Sequence, residues 1–222
     1  MKIIAFGDIH EHVDKVRGIR DILDASCLII TGDLTNRGGI EQAKRIIDYI
    51  RGYHPLIYAQ SGNFDGKEVE SYLREQGISL HGQGFALGSI GIFGVGGSNP
   101  TPFRTPNEYS EEEIESLILQ GYRKVKDTPL KLFVSHSPPC NTKVDIVSGG
   151  HHAGSISVRR FIETYQPHVC LTGHIHEARG EDVLGRTVIV NPGQLKDGGY
   201  AEVYEEEGTL KAVLRQIKTG AF

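Results

Sequence analysis

The chain has 222 residues, of which 23% are charged and 38% belong to the hydrophobic set AVILMFWYC. At roughly 150 residues per domain, this length allows one large domain or two small ones, and it suffices to bury a substantial core. The chain has 24 Lys and Arg residues and 28 Asp and Glu residues, which gives a net charge of −4. This charge gives no support to sequence-independent nucleic-acid binding, which normally needs a basic excess.

The sequence also argues against a membrane protein and against a disulfide-stabilised one. No apolar stretch approaches the ~20 residues that span a bilayer, and the apolar run at 3–6 is too short for a signal peptide. Cys27, Cys140 and Cys170 are odd in number and contain no close pair, so they form neither a disulfide framework nor a zinc knuckle. We therefore expect a cytoplasmic protein.

Short apolar runs alternate with amphipathic segments in the first third of the chain. Apolar runs predict strands at 2–6, 28–30 and 56–59. Between and after them, helical spacing predicts helices over 13–23, 39–50 and 67–75. The first of these carries apolar residues at 13, 16, 19, 22 and 23. This alternation is typical of an α/β fold.

The remaining two thirds are richer in predicted strands and contain two long loops. A hairpin is predicted over 85–87 and 90–95, and single strands over 132–134 and 168–171. Ser110 and Glu113 form a capping box that begins a helix, and another helix is predicted over 155–165. Loops cover 96–107 and 137–152, and successive strands fill 183–214. Without a linker or an internal repeat, residues 1–222 are predicted to form one domain.

Polar side chains follow five of the predicted strands. They are Asp8 and His10, Asp33, Asn63, His136, and His174 with His176. Each alone has an ordinary explanation as a turn residue, a helix cap or a hydrogen-bonded histidine. Together they predict a metal site, because the carboxyl ends of strands in an α/β sheet converge on one crevice.

The residue types fit two divalent ions with Asp33 as the shared ligand. Asp33 lies between the first and third of these segments, and a pair of ions about 3.5–4 Å apart needs a bridging carboxylate. Imidazoles and carboxylates suit manganese, iron, zinc, cobalt or nickel better than calcium or magnesium. We expect two transition-metal ions, with manganese favoured.

The candidate ligands lie in five short sequence blocks. The blocks are Gly7-Asp8-Ile9-His10, Gly32-Asp33-Leu34-Thr35-Asn36-Arg37-Gly38, Gly62-Asn63-Phe64-Asp65, Ser135-His136 and Gly173-His174-Ile175-His176. They occur in the order found in calcineurin-like metallophosphoesterases, and the chain resembles that superfamily. The segment Asn191-Pro192-Gly193 extends the similarity beyond the last block.

The resemblance implies a four-layer α-β-β-α sandwich, in which two mixed sheets lie face to face and the metal site lies at the C-terminal strand ends. It assigns one ion to Asp8, His10, Asp33 and His176, and the other to Asp33, Asn63, His136 and His174. It also implies in-line attack on phosphorus by a hydroxide that bridges the two ions.

Phe64 departs from the family pattern, because it stands where the GNH[DE] block carries a histidine thought to protonate the leaving group. A phenylalanine cannot donate a proton. His151 or His152 in the second long loop is a candidate substitute, with a solvated loop histidine as the alternative; we select His152. Arg37 is a candidate phosphate contact or a surface ion-pair residue, Asn36 is expected to support the site, and His12 to lie beside it or at the surface.

The departure at Phe64 resembles small bacterial or archaeal phosphodiesterase-like members of the superfamily that vary at this position. This resemblance favours a metal-dependent phosphodiesterase over a phosphomonoesterase, acting on a small phosphate ester. Asp33, Asn63 and His152 are the predicted catalytic residues, and Asn63, His152 and Arg37 the predicted substrate contacts. Three alternatives remain at this stage: a binding scaffold with weak or no catalysis, a metal-dependent sensor, and an esterase for a non-phosphate ester. The sequence does not identify the natural substrate, the native metal or the oligomeric state.

Overall fold

A computed structural model describes residues 1–218, and within them eleven strands form two mixed β-sheets. The first sheet has the order β11-β10-β1-β2-β3, in which β1, β2 and β3 are parallel and β10 and β11 run antiparallel to their neighbours. Its strands are β1 (Lys2–Phe6), β2 (Cys27–Ile30), β3 (Ile57–Ala59), β10 (Gly199–Glu206) and β11 (Thr209–Gln216).

The second sheet has the order β4-β5-β6-β7-β9-β8, with four parallel strands in the centre and an antiparallel strand at each edge. Its strands are β4 (Gly84–Leu87), β5 (Ile90–Val95), β6 (Leu130–Ser135), β7 (Val169–Leu171), β8 (Gly180–Leu184) and β9 (Thr187–Asn191). The predicted hairpin is therefore present as β4 and β5, and the predicted C-terminal strands are β8 to β11.

Alternation along the strands explains how the layers stack. In β1, Ile3 and Ala5 pack in a cluster that joins the two sheets, whereas Ile4 and Phe6 pack in a cluster with the first two helices. These helices are α1 (Ile40–Arg51) and α2 (Lys67–Glu75). A third cluster joins the second sheet to α3 (Glu111–Val125) and α4 (Ile156–Tyr165). The predicted four-layer α-β-β-α sandwich is confirmed.

The helix predicted over 13–23 is wrong. The segment forms two short 3-10 helices, Val13–Gly18 and Ile22–Asp24, separated by residues 19–21, of which Asp21 lies in the left-handed region at φ 56°. The buried residues Val16, Ile19 and Ile22 recur every three residues, and that period matches a 3-10 helix better than an α-helix.

The elements that carry or border the polar strand ends match the prediction closely. Helix α2 has the predicted bounds, and α1 is displaced by one residue. The Ser110 side chain accepts a hydrogen bond from the Glu113 N–H, and the Glu113 carboxylate accepts one from the Ser110 N–H, so the predicted capping box is present. Within residues 1–218, no helix combines the length and apolarity that a membrane crossing requires.

Candidate metal centre

The seven predicted ligands lie on segments that leave the carboxyl ends of β1, β2, β3, β6 and β7, six of them in loops and His176 at the start of a short 3-10 helix. Four of them have the left-handed backbone conformation, with φ of 47° at Asp8, 43° at His10, 49° at Asp33 and 67° at His174. Each such non-glycine residue costs on the order of 1–3 kcal/mol. Hydrogen bonds between the loops hold these conformations, including Asp8 N–H to Gly32 O at 3.0 Å and His10 N–H to Asp33 O at 3.0 Å.

Two glycines allow these loops to approach one another. A Cβ on Gly62 would lie 2.1 Å from Asp33 Oδ1, and a Cβ on Gly173 would lie 2.5 Å from Asp8 Oδ2. Both distances are shorter than any side chain tolerates. The glycines of these two sequence blocks therefore admit the Asp33 and Asp8 carboxylates into the site.

One group of side chains consists of Asp8, His10, Asp33 and His176. Each offers one nitrogen or oxygen atom, and these atoms all lie within 4.8 Å of one another. Nε2 of His176 lies 3.0 Å from Asp8 Oδ1 and 3.3 Å from Nε2 of His10. In the part of the chain that the structure describes, the buried Nδ1 of His10 has no hydrogen-bond partner.

A second group shares Asp33 with the first. Asp33 Oδ2 lies 3.6 Å from His10 Nε2 and 3.5 Å from His136 Nε2, so this oxygen stands between the two groups. Asn63 Oδ1 lies 3.0 Å from His136 Nε2 and 2.8 Å from His174 Nδ1. The structure thus brings all seven predicted ligands together in two overlapping sets of four.

The donor set fits two cations. Imidazole nitrogens and carboxylate or amide oxygens face one another across the site, and the Nε2 atoms of His10 and His176 are one such pair. A bound cation would accept the lone pairs of these atoms. The His136 Nδ1 lies 3.1 Å from the Thr31 carbonyl oxygen, and donation to that oxygen leaves Nε2 free as a ligand. The side-chain amide of Gln194 contacts Nδ1 of His176 and holds that ring in a similar way.

The charges of the second group are set by burial and by mutual contact. Burial alone would raise the pKa of Asp33, but His136, His10 and the Phe64 N–H outweigh it and lower the pKa to about 2. Burial opposes a charge on His136 as well, yet Asp33 raises its pKa to about 9. Burial and the neighbouring His136 lower the pKa of His174 to about 4. In the metal-free site His174 is therefore neutral at pH 7, whereas His136 carries a proton that must leave before its Nε2 can bind an ion.

Asp65 supports the ligand loops, a role that was not predicted from the sequence. Its carboxylate accepts hydrogen bonds from the N–H groups of Leu34, Thr35 and Gly62 and from the Thr35 hydroxyl, at 2.8–3.1 Å. It therefore joins the loop that carries Asp33 to the loop that carries Asn63. Its position in the block Gly62-Asn63-Phe64-Asp65 is the one signal in the sequence that points to it.

Phe64 and Arg37 lie beside the first group. The Phe64 ring meets the His10 ring edge to face, with centroids 5.6 Å apart, and its N–H donates to Asp33 Oδ1 at 2.8 Å. The exposed Arg37 places its guanidinium carbon 5.8 Å from the Phe64 ring centroid. The Asn36 side-chain amide donates to the His10 carbonyl oxygen at 3.2 Å, which is the expected supporting contact.

His12, His151 and His152 lie at the surface. His152 is 39% exposed, and its Nδ1 lies 2.7 Å from Oδ1 of the fully buried Asp145. His151 and His12 are exposed. The 137–152 loop is tied to the ligand segment, because the N–H and hydroxyl of Ser148 both donate to Glu177, the residue after His176. Ser148 thus links this loop to the segment after His176, while the His152 side chain itself pairs with Asp145.

Comparison with known proteins identifies the class to which this fold and site belong. Residues 58–213 match the family described as metallophosphoesterase, calcineurin superfamily. The uncharacterized protein MJ1162 of Methanocaldococcus jannaschii is 37% identical over 201 residues, which cover 86% of this chain and 88% of that protein. The chain belongs to the calcineurin-like metallophosphoesterase superfamily.

Solved structures share the fold at low sequence identity. The protein TT1561 of Thermus thermophilus has a TM-score of 0.74 at 20% identity, over 98% of this chain and 99% of that one. A dimetal phosphatase from Danio rerio has a TM-score of 0.64 at 10% identity, over 98% and 99%. The family match begins after Asp8, His10 and Asp33, so these three ligand candidates rest on the geometry described above.

Proposed function

We propose that residues 1–222 form one metallophosphoesterase domain that hydrolyses a phosphate ester with the help of two divalent ions. The observation that carries the proposal is the convergence of seven ligand side chains in two sets of four that share Asp33. The fold of a dimetal phosphatase supports it by analogy. The retention of all seven ligand types argues against a scaffold that has lost its metals.

Asp8, His10, Asp33 and His176 are the proposed ligands of one ion. Asp33, Asn63, His136 and His174 are those of the other. The mixture of imidazole, carboxylate and amide donors suits manganese, and also iron, zinc, nickel or cobalt. When bound, two such ions lower the pKa of a water to produce a nucleophile and neutralise charge on the phosphate oxygens.

The protein's own residues prepare the site for this chemistry. Asp33 holds both groups together while its Oδ1 is fixed by the Phe64 N–H, and Thr31 and Gln194 orient the rings of His136 and His176. These contacts fix the ligands before substrate arrives, which is the basis of electrostatic preorganisation. Asn63, which directly precedes Phe64 in the chain, is proposed to contact the substrate in addition to its ion.

A phosphodiester fits the site better than a phosphomonoester. Phe64 presents an apolar ring beside His10, where it can pack against a second ester group but cannot hydrogen-bond to an additional phosphate oxygen. The Arg37 guanidinium next to that ring supplies a single positive charge at the surface. This combination suits a monoanionic diester with an organic substituent on each side of phosphorus.

His152 is the proposed general acid in place of the histidine that Phe64 replaces. Its Nδ1 faces the Asp145 carboxylate, which orients the ring, and 39% of its side chain is exposed to solvent. Asp145 is held in turn by the N–H groups of Asn141, Thr142 and Gly154. A histidine oriented by a buried carboxylate is an arrangement that general acid–base catalysis uses repeatedly.

We also infer a cytoplasmic location from the three free thiols.

The test is hydrolysis of bis-p-nitrophenyl phosphate by metal-stripped protein reconstituted with Mn²⁺, with p-nitrophenyl phosphate as the monoester comparison. Asp33→Asn is expected to lower turnover by more than about 100-fold, because loss of partners outside the ligand sphere already costs about 10–100-fold. Asp24→Asn, at an exposed position, is the control and is expected to retain activity. Turnover without metal, or unchanged turnover in Asp33→Asn, would contradict the proposal.

A further inference from the structure

The loop that joins β5 to α3 reaches across to Asn63. The Asn63 amide nitrogen donates to the Thr105 hydroxyl oxygen at 3.1 Å, and the N–H of Asn107 donates to the Asn63 carbonyl oxygen at 3.1 Å. Asn63 is 1% exposed and Thr105 is 7% exposed. A loop distant in sequence therefore contacts both the side chain and the backbone of a candidate metal ligand.

Glu108 sets the direction of this hydrogen-bond chain. Its Oε1 accepts from the Thr105 hydroxyl at 2.6 Å, from the Thr105 N–H at 2.7 Å and from the Thr101 hydroxyl at 2.6 Å. Burial opposes ionisation of Glu108, but the hydrogen bonds from Thr101 and Thr105 outweigh it and hold its pKa below the ordinary value. The carboxylate is thus an acceptor only.

The single hydroxyl proton of Thr105 is committed to Glu108, so the Thr105 oxygen has only lone pairs left for Asn63. The Asn63 amide must then turn its NH2 group toward Thr105. Its Oδ1 is consequently the atom that faces His136 and His174, at 3.0 Å and 2.8 Å. With the opposite orientation, an NH2 group, which cannot bind a cation, would occupy that place.

We propose that Thr105 and Glu108 are positioning residues, which fix the Asn63 amide so that its oxygen points at the site of the second metal ion. This inference rests on the proposed two-metal function and adds to it a device built from a loop outside the ligand segments. The alternative is that Glu108 merely closes the loop through Thr101 and the Thr105 backbone. That role does not involve the Asn63 side chain, so the two can be separated.

The experiment is calorimetric titration of metal-stripped protein with Mn²⁺, which reports two binding events without any substrate. Thr105→Val preserves shape but removes the hydroxyl, and it is expected to weaken one of the two binding events about 10–100-fold. Thr105→Ser restores a hydroxyl and is expected to restore the affinity. Thr101→Val is the matched control, because it removes another hydroxyl donor to Glu108 without touching Asn63.

A second pair of variants tests Glu108, which is only partly buried. Glu108→Gln can keep an accepting oxygen in place and is expected to bind both ions nearly as the unmodified protein does. Glu108→Ala releases the Thr105 hydroxyl and is expected to weaken the same single binding event as Thr105→Val. If Thr105→Val does not fold, Glu108→Ala is compared with Thr101→Val, which removes one loop-closing contact but leaves the Thr105 hydroxyl bound to Glu108. Neither variant alters a fully buried side chain.

The outcomes distinguish this inference from the proposed function. If the unmodified protein binds two ions and Thr105→Val, or Glu108→Ala in its place, binds them equally well, the positioning role is overturned and the two-metal site stands. Equal losses in Thr101→Val and Thr105→Val would also overturn it, in favour of a general effect of the loop. If the unmodified protein binds no Mn²⁺, the proposed function and this inference both fail.

Discussion

Replacement of Asp65 by asparagine tests whether a single buried carboxylate joins the loops that carry Asp33 and Asn63. Oδ2 of Asp65 accepts from the N–H groups of Leu34 and Gly62, and Oδ1 accepts from the N–H and hydroxyl of Thr35. An asparagine offers one accepting oxygen instead of two. If that oxygen serves Leu34 and Gly62, the Thr35 N–H loses its acceptor.

The magnitude follows from the number of donors left without a partner. One buried N–H without an acceptor costs about 1–3 kcal/mol, so Asp65→Asn is expected to lower the free energy of unfolding by that amount. Asp65→Ala deprives three backbone N–H groups of their acceptor, and the same principle gives about 3–9 kcal/mol. Because a whole domain is stable by about 5–15 kcal/mol, we expect the alanine variant to be largely unfolded at moderate temperature.

The assay is urea unfolding followed by circular dichroism, together with Mn²⁺ titration of each folded variant. Asp145→Asn is the matched control, because Asp145 is also fully buried and accepts from three backbone N–H groups. These groups lie in or just after the 137–152 loop and not in the segments that carry the ligands. Both asparagine variants are expected to lose stability, whereas only Asp65→Asn is expected to lose Mn²⁺ affinity, by about 10–100-fold. Unchanged stability of Asp65→Asn, or an equal loss of Mn²⁺ affinity in both variants, would refute the reasoning.

Three further changes have specific expected outcomes. Phe64→His is expected to raise turnover of diesters with poor leaving groups, within the range of about 10²–10⁴ that a general acid supplies, and to change p-nitrophenyl esters little; an equal response would show that Phe64 does not occupy the acid position. His152→Ala is expected to lower turnover of the poor leaving groups selectively, and uniform rates across leaving groups would exclude it as the acid. Burial lowers the pKa of His81, which is only 5% exposed and accepts from the Gly96 N–H. The unfolded chain therefore takes up this proton more readily, and stability is lost as pH falls from about 6.5 through the lowered pKa. His81→Asn, which does not titrate, is expected to show a smaller fall in unfolding free energy between about pH 7.5 and pH 5.5, and an unchanged pH dependence would contradict this origin.

The strand ends were predictable from sequence because burial and chemistry change abruptly there. The apolar run of β2, for example, ends at Ile30 and is followed within three residues by Asp33. An apolar run that is followed by a carboxylate marks the carboxyl end of a parallel strand, and the carboxyl ends of neighbouring parallel strands lie side by side. Asp33 and Asn63 follow the paired strands β2 and β3 of the first sheet, so their proximity follows from that topology. His136 follows β6 of the second sheet, so its contact with them also requires the two sheets to pack face to face.

The supporting hydrogen bonds were not predictable in this way. Thr105 and Glu108 lie in a loop without apolar periodicity, and their partner Asn63 is 42 residues from Thr105. Nothing local distinguishes this threonine from Thr101, which contacts the same carboxylate but not Asn63. The 13–23 segment does show apolar periodicity, but the helix type predicted from it is wrong. Over so few turns, spacing alone does not separate a period of about 3.0 from one of about 3.6.

Backbone strain connects the stability of the fold to the metal centre. Asp8, His10, Asp33 and His174 all have positive φ, and at about 1–3 kcal/mol each their combined cost approaches the stability of a whole domain. Hydrogen bonds between loops, such as those to Asp65, must offset this cost, because no regular strand or helix contains these residues. Ions that bind only the folded site would add stability, about 2.7 kcal/mol at a free concentration of about 100 times Kd. The geometry that concentrates the ligands therefore makes the protein's stability depend on the same loops that are proposed to hold the ions.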